Sequence, residues 1–418
     1  MSTNEVRLDM RGLPLDQQAN ILREKYRELR GTGSVVRAQV NAQPARLYVS
    51  MLESGYRVAI EPDGSATTLV LKPDASTPRL GRRGAHSVAA HPDGRIYANT
   101  TENRVAVLDA STRRVVRHLC AGDMPSHLEL SHDGKRLYVA NAGSNDVTVV
   151  DTSTDTVIAT GKTDKRPLLP CVAESGFVYV PSGPDETVTV LDSEGQSVAN
   201  ISVGKAPHDI AVSPDGGWAY QPNSASHTIT VIDARTQCAI GEVAVGLAPG
   251  HVAFTPDSRY AYIANTLSDD VSIVATGNHE VVGTIPAGAG AHLPVLDHGG
   301  RFGYVANFAS DDLTVWETKT NRVAARIKVG IYPHFFAFSP DDRWVVVSNT
   351  GESSVCLIDT AKAQVVAQLD VGQAPAHIAF DPDGVCAFIG CEISDEVAVI
   401  DLSSQSVVAL VKAGNDAA

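Results

Sequence analysis

The sequence predicts a mainly-β protein, an eight-bladed β-propeller over residues 81–418 preceded by a small two-layer α/β domain over residues 1–80. Three observations carry this prediction. From Arg82 onward a unit of about 42 residues recurs eight times, and a period of that length marks a repeat architecture. Each unit holds four short β-rich runs bounded by turn residues. Residues 5–73 share none of that period and alternate strand-like with helix-like runs.

The N-terminal segment reads as a strand (6–9), a helix (15–29), a strand (34–39), a helix (45–54) and two closing strands (56–60 and 67–72). Leu15, Gln18, Ile21, Leu22, Lys25 and Leu29 fall at helical spacing, which places a mostly apolar stripe on one face. Gly31 supplies the usual stop. The runs LDMRGLP and RLYVSMLESGYRV resemble the TusA-like family of two-layer α/β domains. In that family a sulfur-carrying Cys follows the Arg-Gly-Leu turn, whereas here the stretch is Leu13-Pro14-Leu15-Asp16 and the first cysteine is Cys120. The resemblance therefore implies a docking, dimerisation or lid module, open to a protein partner, rather than a persulfide carrier.

The repeats begin near Arg82, Asp123, Lys165, Lys205, Leu247, Ala289, Ile331 and Gln373. In the fourth, Pro214-Asp215-Gly216 separates the first two strand runs; Pro presets φ and Gly accepts the positive φ such a turn needs. The third repeat is the most degenerate, with Glu174-Ser175-Gly176 at this place. A four-stranded unit cannot bury both faces alone, and radial packing of such units solves the problem. The runs LYVANAGSNDVTVVDTSTDTVIAT and AYIANTLSDDVSIV resemble the YVTN family of propeller repeats, whose members usually carry seven blades rather than eight.

Net charge is −14, divided as +2 over residues 1–80 and −16 over residues 81–418. An acidic propeller argues against nucleic acid as a partner, which calls for a basic footprint. The opening MSTNEVRLDMRGLP has no basic stretch leading into an apolar one, and no apolar run is long enough to span a bilayer. These features give the expectation of a cytoplasmic protein without membrane contact. Six scattered cysteines without a CxxC pair are expected to be buried thiols.

The sequence contains 13 histidines, and seven share one narrow window of the repeat, just before the first strand run: His86, His127, His208, His251, His292, His334 and His377. Chance would place roughly one there, so the clustering follows the period. First strands line a propeller's channel, so seven imidazoles are expected to ring one mouth. Imidazole is the commonest transition-metal ligand, and three converging histidines with an open position suit catalysis. His127, His251 and His377 share one register on blades 2, 5 and 8, nearly evenly spaced around the ring, which makes them the expected ligand trio. The other four sit one residue earlier and are expected at a different depth. Histidine at this position also occurs in YVTN-like repeats without a metal, bonding backbone carbonyls of the next blade.

Asn99, Asn141, Asn223, Asn265, Asn307 and Asn349 recur after the second strand run, where side-chain caps to the backbone are expected. The eighth repeat has Cys391-Glu392 there instead, a candidate ligand and general base that form the expected catalytic pair. The remaining histidines are expected at the surface. The reading that follows is a metal-dependent redox enzyme or metal-binding protein acting on a small-molecule substrate, with copper or iron, or else zinc. Eight blades match the haem d1 proteins, so a haem d1-like tetrapyrrole is an alternative cofactor, ranked lower because the mouth offers few cations beyond Arg82, Arg83, Lys165, Arg166 and Lys205. A lactonase or lyase and a non-enzymatic scaffold are further alternatives.

Overall fold

The computed structural model describes residues 84–414 continuously, together with residues 5–10, 13, 18, 21, 22, 25, 35–40, 58–63 and 66–71. The chain divides into two compact units, Met1–Arg82 and Arg83–Ala418. In the first, the strands Glu5–Asp9, Val35–Val40, Ala66–Leu71 and Val58–Asp63 lie side by side in that order. The first two are parallel, which requires a crossover connection between them. Gln18, Ile21, Leu22 and Lys25 are helical, and Gln18 and Leu22 are buried, in keeping with the apolar stripe. The second expected helix, residues 45–54, lies outside the described residues.

Among the described residues the second unit consists of eight four-stranded antiparallel sheets, each built from four consecutive strands. Burial follows the radial plan. In blade 5 the second and third strands, Tyr260–Asn265 and Asp270–Ala275, are buried almost throughout, while the outer strand Glu280–Pro286 is largely exposed. Neighbouring blades pack through apolar seams, such as Tyr304, Val315 and Ile327 of blade 6 against Phe336, Val345 and Ile358 of blade 7. The turn between first and second strands demands a left-handed residue. Gly216 supplies it in blade 4 with φ 67°, and Gly176 supplies it in the degenerate third blade with φ 88°. The third repeat therefore keeps the one turn residue its geometry requires.

The ring closes without exchanging a strand. Blade 8 (Pro375–Phe380, Cys386–Cys391, Glu396–Asp401, Ser406–Lys412) meets blade 1 (Val88–Ala90, Arg95–Asn99, Arg104–Asp109, Arg114–Cys120) through side chains and a few cross-seam bonds. Val88, Ile96, Ala98 and Leu108 pack on Phe388, Val397 and Val399. His377 N donates to His86 O at 3.1 Å, Gly84 N to Glu392 O at 3.2 Å, and Thr101 Oγ1 to Asp395 Oδ2 at 2.8 Å. At Gly390 the two blades approach so closely that an added Cβ would overlap the Ala85 carbonyl oxygen.

The recurrent asparagines end the second strands and are fully buried. Their caps run mostly to side chains of the third strand rather than to backbone. Asn307 Nδ2 donates to Asp312 Oδ1 at 2.8 Å and to Thr314 Oγ1 at 2.9 Å. Asn99 alone of these reaches backbone carbonyls, those of Gly84 and Pro125. The described residues contain no disulfide; Cys356, Cys386 and Cys391 are buried, but Cys120 and Cys238 are exposed on outer strands. No helix among the described residues is long and apolar enough to cross a membrane.

Candidate metal centre in the propeller channel

The seven histidines of the repeat window do gather at the channel, though not in the expected trio. Five of them lie within first strands rather than before them: His127, His251, His292, His334 and His377. In blades 1 and 4 the first strand is shorter, so His86 and His208 precede it. Ligand atoms of His86, His127 and His377, on the adjacent blades 1, 2 and 8, all lie within 4.8 Å of one another. Ring centroids are 5.1 Å apart for His86–His127, 5.2 Å for His86–His377 and 5.4 Å for His127–His377.

His251 instead packs against His208 and His292, with centroids 5.1 and 4.6 Å apart. Two members of the expected trio, His127 and His377, do converge, and His86 of the intervening blade 1 takes the third place; His251 on blade 5 packs with the histidines of blades 4 and 6 instead. Register does not set depth. His86, one residue early, joins two histidines of the later register. The pairing slips beside most of these positions, between Pro375 and Ile378 or Pro249 and Val252 for example, and such bulges re-aim side chains out of strict alternation.

The trio is held by identifiable bonds. Ser87 N donates to Asn99 Oδ1 at 2.7 Å, which fixes the backbone beside His86. Leu128 N donates to Ser87 Oγ at 3.1 Å, which ties blade 2 to blade 1 beside His127. Ser348 Oγ donates to Ala376 O at 2.7 Å, anchoring the residue before His377. Glu392 Oε2 lies 3.0 Å from His86 Nδ1. A carboxylate on Nδ1 fixes the tautomer and orientation of the ring and assigns the ligand role to Nε2. Glu392 is thus placed to orient His86. Cys391 is not in the site, a correction to its expected role: it is fully buried in the apolar seam with Trp344, Val346 and Ile389. Its thiol donates to Ile389 O, and burial pushes it up to about 12.

Corners 4.8 Å apart would lie about 2.8 Å from their common centre, against about 2.0–2.1 Å for a Zn–N bond, so each ring need move inward by no more than about 0.7 Å. A cavity of about 310 Å³ adjoins the trio, lined among others by Ala90, Glu129, Leu169, Pro170, His127 and His377. It offers room for a small ligand beside a three-histidine ion.

Sequence reasoning missed four lumen residues. Glu129 and Cys171 stand in the column that holds Ala or Val in every other repeat, and that substitution pattern was the available signal. Glu129 is exposed to the lumen, where desolvation by the surrounding channel wall, and then Asp209, raise its carboxyl above the ordinary range. Burial, Glu129 and Asp209 push Cys171 up to about 12. Asp209, next to His208, holds His251 Nδ1 at 2.9 Å, the same pairing as Glu392 with His86. Phe335 wedges between the two histidine groups, with its centroid 4.0 Å from His377 and 4.3 Å from His334. His292 and His334 are held well below the usual imidazole range by burial and then by neighbouring histidines, so both stay neutral.

The histidines outside the window lie mostly at turns and outer strands, where several bridge blades rather than standing free. His91 Nε2 lies 3.0 Å from Gly134 O and His132 Nε2 lies 3.0 Å from Val172 O.

No curated protein matches the chain. Among solved structures it is similar to hydrazine synthase of Kuenenia stuttgartiensis, at 20% identity and a TM-score of 0.55, over 77% of this chain and 96% of that one. It is also similar to the dihydro-heme d1 dehydrogenase NirN in complex with DHE, at 17% identity and a TM-score of 0.64, over 81% of this chain and 75% of that one. Likeness at these identities concerns the fold. The chain is an eight-bladed β-propeller whose residues 258–418 match the YNCE-like β-propeller family.

Proposed function

We propose that the protein binds a first-row transition metal through His86, His127 and His377 and acts as a metal-dependent redox enzyme, or as a metal-binding protein, on a small-molecule substrate. The observation that carries this reading is the approach of the three ligand atoms to within 4.8 Å of one another. The donor set supports it further. Three neutral nitrogen ligands suit copper, iron or zinc, and the Glu392 carboxylate on His86 is the usual outer partner of a ligating histidine. Three protein ligands leave a coordination position open toward the adjoining cavity.

The test is metal content. Protein produced with ample iron, copper and zinc should carry at least one equivalent, and a His86→Ala, His127→Ala, His377→Ala variant should lose it. Less than a tenth of an equivalent in the parent protein would overturn the reading.

A second reading places a haem d1-like tetrapyrrole in the same mouth, supported by the fold shared with NirN. The lumen weighs against it, since Asp209 is acidic and Lys165 is drawn off by Asp185. A Soret band in the visible spectrum would favour the tetrapyrrole. The N-terminal unit fits, on this proposal, the TusA-like role of docking a protein partner or a second copy.

A further inference from the structure

We propose a second transition-metal site in the same channel, formed by His208, His251 and His292 on blades 4, 5 and 6. The inference goes beyond the trio reading and does not depend on it. Two nitrogens carry it. His251 Nε2 and His292 Nε2 are buried and have no hydrogen-bond partner among the described residues. The two residues are 1% and 5% exposed, and their rings are 4.6 Å apart at 82°. Leaving one such nitrogen unsatisfied costs about 1–3 kcal/mol, and here two lie side by side. A bound cation satisfies both at once when each ring carries its proton on Nδ1, the arrangement that Asp209 favours for His251.

The surroundings are those of a ligand set. Asp209 Oδ2 sits 2.9 Å from His251 Nδ1, which directs Nε2 of that ring to the ligand role. His208 approaches His251 at 5.1 Å but His292 only at 6.2 Å, so the three donors do not reach the 4.8 Å grouping of the first trio, and His208 must swing inward to serve as the third imidazole. His334 stacks on His292 at 4.8 Å and 15°, which holds that ring in place. The two groups are separate centres. Phe335 stands between them on one side, and on the other the third blade has Leu168-Leu169 where its neighbours have histidine. The ion expected is a borderline divalent one, since all three donors are imidazoles.

The test uses the full-length protein stripped of metal and titrated with Co²⁺, read by elemental analysis after desalting and by the visible bands of the bound ion. The parent should hold two equivalents. His251→Gln with His292→Gln should hold one, and His86→Gln with His377→Gln should also hold one. A parent with a single equivalent that survives in the His251/His292 variant overturns the second site and leaves the trio standing. A single equivalent lost in that variant but kept in the His86/His377 variant upholds the second site and overturns the trio. Two equivalents retained in the His251/His292 variant also overturn the proposal. Should that double variant fail to fold, Asp209→Asn provides the check, with the second equivalent weakened about 10–100-fold and the first unchanged; two equivalents of unaltered affinity would overturn the assignment.

Discussion

Gly390→Ala tests the coupling of ring closure to the metal centre without touching a histidine. An added Cβ overlaps the Ala85 carbonyl oxygen and lies 3.0 Å from the Ala85 carbonyl carbon and 3.1 Å from His86 O. All three obstacles are backbone atoms, so no side chain can rotate away. Restoring an ordinary carbon–oxygen contact of about 3.3–3.6 Å requires the blades to part locally by about 1 Å. Overpacking of this kind costs about 1–3 kcal/mol. Over the roughly 330 residues of the propeller, at about 2.1 cal/mol/K each, that lowers Tm by about 1.5–4 °C. The same 1 Å exceeds the roughly 0.7 Å by which each ring of the trio must close on an ion. His86 then falls out of reach, and affinity drops by at least about tenfold, as for loss of an outer-shell support. Melting of the metal-free protein gives the first quantity, and competition with a chromophoric chelator gives the second. Gly241→Ala is the control, because its added Cβ would meet nothing within 4 Å. A Gly390→Ala protein that melts and binds metal like the parent would refute the argument.

Glu392→Gln keeps the shape of the side chain but removes the charge beside His86 Nδ1, and metal affinity measured by the same competition should fall about 10–100-fold. Cys391→Ala should leave metal content and affinity unchanged, since the thiol is sealed in the seam between blades 7 and 8. Asp311 is raised above the ordinary carboxylate range, chiefly by burial, so the folded state holds its proton longer than the unfolded state. Stability is therefore lost as pH rises from the ordinary carboxylate value through the raised one. Asp311→Asn retains the acceptor for Tyr332 N and places the residue that Asn103 and Asn145 already provide at the same left-handed position. Its melting temperature should exceed the parent's at pH 8, with the gain shrinking as pH falls through the carboxylate range.

The blades were legible because local rules repeat eight times. Pro-Asp-Gly turns, alternating strands and the Asn at six of the eight second-strand ends recur at one period, and even the degenerate third repeat retains Gly176. The histidine window was legible for the same reason. Which histidines converge was not, because pairing slips such as that between Pro375 and Ile378 undo the two-residue alternation on which a depth argument rests. Cys391 and Glu392 show a further limit. They are adjacent in sequence, yet one points into an apolar seam and the other to a ring nitrogen on the next blade. Glu129 could have been found from its alanine column, whereas the pairing of Asp209 with His251 spans 42 residues and needed the structure.

Each sheet is one uninterrupted stretch of chain, with no strand shared across the closure. The unit that would be copied in a tandem duplication is therefore a whole blade, with no half-blade left over at either border. One added or deleted block of about 42 residues changes the number of sectors and the bore of the lumen together. For the same reason the starting point of the ring is arbitrary. A rearranged gene that opened the chain between blades 4 and 5, and joined the last strand of blade 8 directly to the first residues of blade 1, would encode the same circle with His377, His86 and His127 on one continuous segment.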